Sequence, residues 1–371
     1  MTLNLNHSRR HGCLPQIQGV SARLVAAMVL SVAPVLSYAY EEGSCDDPVH
    51  RSVACGTFSI LFENDLFADT DRHYTNGIKL SWMSRDLRQF RQWEHTPTWL
   101  RGLFESLDQF HAGREKNIGF FVGQKLFTPT DIQRRDLVEN DRPYAGWVFG
   151  GMSVNSKNTR ALDTIEIQLG WAGPAALGEE TQNFVHEVRD IATAKGWDNQ
   201  LENEPAFSLF YQHKHRLWDF FHPDSRLGAD VIGHVGGAAG TVYTYANAGV
   251  EARFGVNIPA DFGTSLIRPG GDVSAPVLTA DAPRHDPRIF GAHMFAALTG
   301  RAVLRDIFLD GNTFEDSHSV DKEDLVGDLI VGAGVTWHGL KLTYAQVFRT
   351  KEFEAQDTAN QYGSINLTVL F

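Results

Sequence analysis

No apolar run in this chain is long enough to cross a bilayer as a helix. The one sustained stretch, Leu24 to Leu36, holds 13 residues, and a spanning helix needs ~20. Cysteine is scarce. Of three in all, only Cys45 and Cys55 follow that stretch, so at most one disulfide closes a small loop near the N-terminus, unless both remain free thiols. A basic excess is missing as well: 33 Lys and Arg stand against 45 Asp and Glu. That balance argues against nucleic acid as a partner, and any anionic substrate must meet a local basic cluster. Internal repeats and low-complexity tracts are absent.

What is present begins with a leader pattern. Arg9, Arg10 and Arg23 precede the apolar run, and Ser37-Tyr38-Ala39 follows it. Residues 1–39 read as a secretory signal cleaved after Ala39, with a membrane anchor as the alternative. Residues 40–56 form a short N-terminal segment, and 57–371 the body of the protein. Without the leader's three Arg, 30 basic residues face 45 acidic ones.

In that body, period-two alternation recurs. Ile165-Glu166-Ile167-Gln168-Leu169-Gly170-Trp171 is apolar on one face and polar on the other. Leu329–Trp337 and Leu340–Tyr344 repeat the pattern around a tight turn at His338-Gly339. Strands are expected near 57–65, 74–84, 117–126, 144–155, 161–171, 205–215, 228–239, 243–256, 287–309, 325–337, 339–349 and 361–371. Twelve is an even number, as antiparallel outer-membrane barrels require. The last segment puts Ile365, Leu367, Val369 and Phe371 on one face and ends on an aromatic, like the final strand of such barrels. The expected fold is all-β: a 12-stranded antiparallel transmembrane barrel. The stretches 85–116, 257–286 and 310–324 are expected as surface excursions. A closed barrel has no edge that demands a partner, so a monomer is expected.

One segment breaks the rhythm. Near 179–195, Val185, Val188 and Ile191 recur at helical spacing, acids fill the first turn, and Gly196 is a plausible stop. Gln182, His186 and Arg189 share a face of this inserted helix.

Three polar groups accompany it: Glu63-Asn64-Asp65 with Thr75 and Asn76; Lys125, Thr128, Arg134-Arg135 and Asp141-Arg142-Pro143-Tyr144; and Gln182 and His186 with Gln200 and Asn203. Ester hydrolysis by water needs a base and a positive centre for the oxyanion. A neutral His supplies the first. A hard cation on amide and carboxylate oxygens, such as Ca²⁺, supplies the second. Asn64 and Asp65 are donors of that kind, although Asp65 equally suits orienting the His. Each group also has a plainer reading: His186 as a packing residue, Asn64-Asp65 as a turn, Asp141-Arg142 as a structural ion pair at a barrel rim.

Together, in this order and spacing, Glu63-Asn64-Asp65, Asp71–Gly77, Asp141–Gly146, Gly173-Pro174 with Gln182–His186, and Trp197–Glu204 resemble the outer-membrane lipid A 3′-O-deacylases. The resemblance implies a Ca²⁺-dependent hydrolase that removes the 3′-linked acyloxyacyl chain of lipid A in the outer membrane. It implies that Asn64, Asp65, Thr75 and His186 are catalytic, with His186 the base and Asn64 and Asp65 the metal ligands. Arg134 or Arg135 is expected to meet a lipid A phosphate, and Arg142, Tyr144 and Gln182 to complete the substrate-binding set. One departure stands out. Acidic and tyrosine side chains follow the helix in that family, whereas Ala192-Thr193-Ala194-Lys195-Gly196 offers neither. The rivals are a barrel phospholipase, whose His-x-Ser-Asn-Gly pattern is matched no better than by His318-Ser319-Val320, and a porin-like or structural barrel.

Overall fold

The alternating segments form a closed barrel in the computed structural model, which describes residues 56–65, 73–93, 98, 101–110, 112–264, 266–267 and 289–370. The leader, Cys45 and Cys55 lie outside these residues. The strands are β1 (Thr57–Asn64), β2 (His73–Met83), β3 (Glu115–Thr128), β4 (Ala145–Lys157), β5 (Ala161–Ala172), β6 (Glu204–Phe221), β7 (Leu227–Gly240), β8 (Tyr243–Val256), β9 (Gly291–Asp306), β10 (Leu325–Trp337), β11 (Leu340–Arg349) and β12 (Asn360–Leu370). Each pairs antiparallel with its sequence neighbours, and β1 closes on β12 with Thr57 opposite Leu370. The expected twelve strands are all there. β9 stops short of its expected end because Asp306 caps a helical turn, accepting a hydrogen bond from the Phe308 N–H.

The barrel is apolar outside and polar inside. Along β6, Phe207, Leu209 and Tyr211 are exposed, while Ser208, Gln212 and Lys214 at the alternate positions are buried. The same inversion recurs on β9, where Met294, Leu298 and Leu304 point out and His293 and Thr299 point in. Exposed apolar side chains are unfavourable in water and suited to lipid.

One of the three expected excursions, 257–286, leaves the surface where it is described. After β8 the chain turns into the lumen, where Asp261, Phe262, Leu266 and Ile267 are buried. Asp261 joins the Arg253 guanidinium and the Lys341 ammonium (2.5 Å), and Lys214 donates to the Phe262 carbonyl (3.2 Å). The lumen's charges thus find partners on an inserted segment instead of water. At the barrel end opposite Thr57 and Leu370, helix α3 (Ile307–Asp310) buries Ile307, Phe308 and Leu309, with Phe308 stacked on the lumen residue Phe127 at 4.1 Å. The 85–116 stretch carries helix α1 (Arg101–Phe110), and its apolar residues Phe90 and Phe104 are buried against Ile118 and Val154.

Helix α2 (Gly178–Val188) follows β5. It is shorter than the expected 179–195, because Asp190 takes a left-handed φ of 57° and the Ile191 N–H donates to the His186 carbonyl at 2.9 Å. That closes the helix about two turns early.

Candidate active site

The site lies on the outer wall, at the barrel end opposite Thr57 and Leu370. Glu63 faces the lumen, so Asn64 faces out. In register, Asn64 stands opposite Asn76, Asn76 opposite Leu126, and Leu126 opposite Gly146, which makes one outward row across β1 to β4. Neighbouring strands are ~4.8 Å apart, so the row is compact. Asp65 follows Asn64 and is fully buried. Thr75 is the extra residue of a β-bulge between Tyr74 and Asn76, and its hydroxyl shares a 2.7 Å hydrogen bond with that of Thr128.

Helix α2 covers the other half of this row. A Cβ on Gly146 would meet Ala176 at 2.9 Å, and one on Gly178 would meet Trp197 at 2.5 Å and Leu126 at 3.3 Å. The outward side chain of Gln124 holds the helix start, donating to the Ala176 carbonyl (2.6 Å) and to Thr181 (3.1 Å). Leu126, Ile132, Tyr144, Ala194 and Trp197 make the apolar seat. Gln182 and His186, one turn apart, are both buried.

Two contacts fix their chemistry. The Trp197 indole N–H donates to Gln182 Oε1 at 2.8 Å. An indole can only donate, so Oε1 is the atom engaged. The Gln182 amide N–H₂ is left buried, without a hydrogen-bond partner among the described residues. His186 Nδ1 lies 2.7 Å from the Ala192 carbonyl. A carbonyl can only accept, so Nδ1 carries the proton, and in the neutral tautomer the lone pair is on Nε2. The segment that lacks the expected acid and tyrosine therefore supplies a backbone acceptor, reached because α2 ends early.

The remaining expected residues divide. The side chains of Arg134 and Arg135 are exposed beside the site. Their backbone carbonyls brace the 196–199 turn: the Asn199 side chain donates to the Arg135 carbonyl at 2.7 Å. Arg142 is not on this face. It is buried between the Phe127 and Phe353 rings, with Glu352 at 3.6 Å, so a substrate-binding role is corrected to an ion pair within the barrel mouth. Burial would push the Glu352 carboxyl up, but the Arg349 and Arg142 guanidinium groups hold it below the usual range. Tyr144 is also reassigned: its ring packs on Trp197 at 4.9 Å and its hydroxyl donates to the Ile132 carbonyl at 3.3 Å. Lys125 points into the lumen, over the Tyr243 ring. Gln200 bridges to Tyr144, and Asn203 accepts from the Ala175 N–H. Sequence reasoning missed Trp197 as the group that orients Gln182; its place in the Trp197–Glu204 motif was the available signal.

The donors Asn64 and Asp65 suit a hard cation in kind. Among the described residues no cluster of three or more His, Cys, Asp or Glu side chains forms a metal cage, so this pair would leave most coordination positions to backbone oxygens, water or substrate.

A closed barrel that exposes its apolar faces and carries a buried histidine and glutamine on a helix packed against its outer wall defines an outer-membrane barrel with a candidate site outside its lumen. The family model for outer membrane protein LpxR matches residues 24–371, and the chain belongs to that family. LpxR from Salmonella typhimurium shares the fold at TM-score 0.65 and 17% identity, over 85% of this chain and 100% of that one. The β-domain of the Bordetella autotransporter BrkA is a remoter barrel, at TM-score 0.40 and 12% identity over 86% and 100% of the two chains. No curated protein matches the sequence.

Proposed function

We propose that this protein hydrolyses the 3′-linked acyloxyacyl ester of lipid A in the outer membrane, with His186 as general base and Ca²⁺ as cofactor. Membership of the LpxR family supports lipid A deacylation. The observation that carries the mechanism is the buried pair on α2: an imidazole whose Nδ1–H is held by the Ala192 carbonyl, which in the neutral ring puts the lone pair on Nε2, and one turn away an amide whose N–H₂ is buried without a hydrogen-bond partner among the described residues. Nε2 takes a proton from water as the water attacks the ester carbonyl. The Gln182 amide donates to the oxygen on which charge develops. Nε2 then returns the proton to the leaving alkoxide, so the acid is released and the sugar hydroxyl restored. Asn64 and Asp65 would hold the cation, which when bound supplies positive charge beside the ester. Arg134 and Arg135, exposed above the site, would meet a phosphate of the glucosamine headgroup.

The helix is also suited to a lipid substrate. Leu177, Phe184 and Val188 are exposed on its outer side, beside Leu169 and Trp171 of the barrel wall, so acyl chains meet apolar surface on both sides.

Two observations weigh against the rivals. The lumen holds an inserted segment and is covered by α3, unlike an open pore. His318 is engaged with the Asp141 carbonyl at 2.8 Å in a contact between loops, unlike a base beside a serine. The test is the mass of lipid A from cells expressing the protein. His186→Ala is expected to fold and leave the 3′ chain in place, and Gln182→Ala to slow release by ~10²-fold. Adding a chelator is expected to stop the wild type. Undiminished release by His186→Ala would discard the base assignment.

A further inference from the structure

We propose that Glu63, on the lumen side of β1, is a positioning residue for the outer-wall site, and that the chain segment inserted in the lumen holds it in place. The proposal rests on the reading of that wall as the deacylase centre.

Glu63 is buried, and each carboxylate oxygen has its own donor. Oε1 accepts from the Ile267 backbone N–H at 2.7 Å, and Oε2 from the Tyr74 hydroxyl at 2.8 Å. The next residue on β1 is Asn64, and the next after Tyr74 on β2 is Thr75. One carboxylate inside the barrel therefore ties together the strand ends that present the amide–carboxylate pair and the bulged threonine outside. The ladder cannot do this alone. Asn64 opposite Asn76 is the last β1–β2 pair, and the β2–β3 register breaks between Tyr74 and Asn76. A bulge loosens local pairing, so its geometry needs an anchor.

Gly77 shows that the anchor is built. It lies opposite Glu63 in register, and a Cβ there would fall 2.1 Å from the Tyr74 hydroxyl and 3.1 Å from Ile267 Cδ1. The absent side chain leaves the space in which hydroxyl, carboxylate and inserted segment meet. The Tyr-Thr-Asn-Gly run thus reads in two directions: Tyr74 and Gly77 complete the inner anchor, while Thr75 and Asn76 belong to the outer site. The segment itself is held at Asp261 by Arg253 and Lys341 and at Thr264 by Glu251, so Ile267 is presented by a fixed backbone.

The test uses the full chain refolded in detergent, with lipid A as substrate. Ile267→Pro removes one donor to Glu63 and Tyr74→Phe the other, while Ser225→Ala, which loses an exposed hydroxyl in the turn between β6 and β7, is the control. Both donor variants are expected to keep the heat-modifiable gel mobility of the folded barrel. Amide exchange at 64–65 and 75–76 is expected to rise about tenfold. The rate constant for acyl release should fall about tenfold, with KM within about twofold of the wild type, and Ser225→Ala should match the wild type in both readouts. Unchanged exchange in both donor variants, or faster exchange without slower turnover, would overturn the proposal. Should Ile267→Pro fail to fold, Tyr74→Phe decides. A wild type that releases no acyl chain would instead sink the deacylase reading, and exchange would still report whether Glu63 anchors the two strand ends.

Discussion

Pro143 separates two side chains that a linear motif presents together. Arg142 before it enters the barrel mouth, and Tyr144 after it packs on the outer wall. Residues two apart in a regular strand face the same way, so the split shows that Arg142 still belongs to the loop before β4, which begins at Ala145. The motif was legible as something built; which compartment each side chain enters depends on where the strand starts, which the spacing leaves open. Gly178 allows a sharper statement. A Cβ there would sit 2.5 Å from the buried Trp197 ring, where ordinary contact begins at 3.4 Å, so Gly178→Ala must lift the start of α2 off the wall or push Trp197 from Gln182. A misplacement of ~1 Å at a reacting group costs on the order of 10²-fold in rate. Gly178→Ala is expected to lose about 10- to 100-fold in acyl release while its thermal unfolding stays that of the wild type, because α2 is not part of the barrel ladder. Paired kinetics and calorimetry check it; a matching fall in barrel stability would show that the helix does more than carry the site.

Among the elements, strands were legible and insertions were not. Period-two alternation marks a strand whether its polar face meets water or protein, so all twelve segments could be read. For the same reason, nothing in Arg253, Asp230 or Lys341 says whether its partner is solvent or chain. The 257–267 segment therefore reads as a polar loop, although Asp261 is the counter-charge that the lumen needs. Burial alone would raise the Asp261 carboxyl, but Lys341 and Arg253 outweigh it and hold the group below the usual carboxylate range. A depressed folded value stabilises above the unfolded value of ~3.9 and is lost as pH falls through the folded value. Asp261→Asn is accordingly expected to lower unfolding stability by about 3–5 kcal/mol, the cost of breaking a buried pair, between pH 5 and 8. The deficit should shrink only in strong acid. Adding Lys341→Met should recover part of it, because the second charge leaves with the first. Urea unfolding of the single and double variants at several pH values measures both effects, and additive losses would mean that the pair is not coupled.

At the level of the whole molecule, the inverted surface is what joins site to substrate. An outer wall that binds lipid brings the ester to α2 from within the bilayer, with no need for the acyl chain to enter water. That argument requires the exposed apolar band to lie in the membrane, and β9 offers a direct check. Leu298, mid-strand, and Leu304, near the end that bears the site, both point outward and are exposed by 59% and 76%. In water, substituting two such exposed residues would change stability by no more than about 0.5 kcal/mol either way. In a bilayer the cost of a charge depends on depth: Leu298→Arg is expected to cost about 2–4 kcal/mol and Leu304→Arg about 0–1 kcal/mol. Reversible unfolding in lipid vesicles measures the difference, and repeating it in detergent micelles should compress it, because a micelle deforms around a charge more readily than a bilayer. Equal costs at the two positions would place the band outside the hydrocarbon and leave α2 without a membrane from which to draw its substrate.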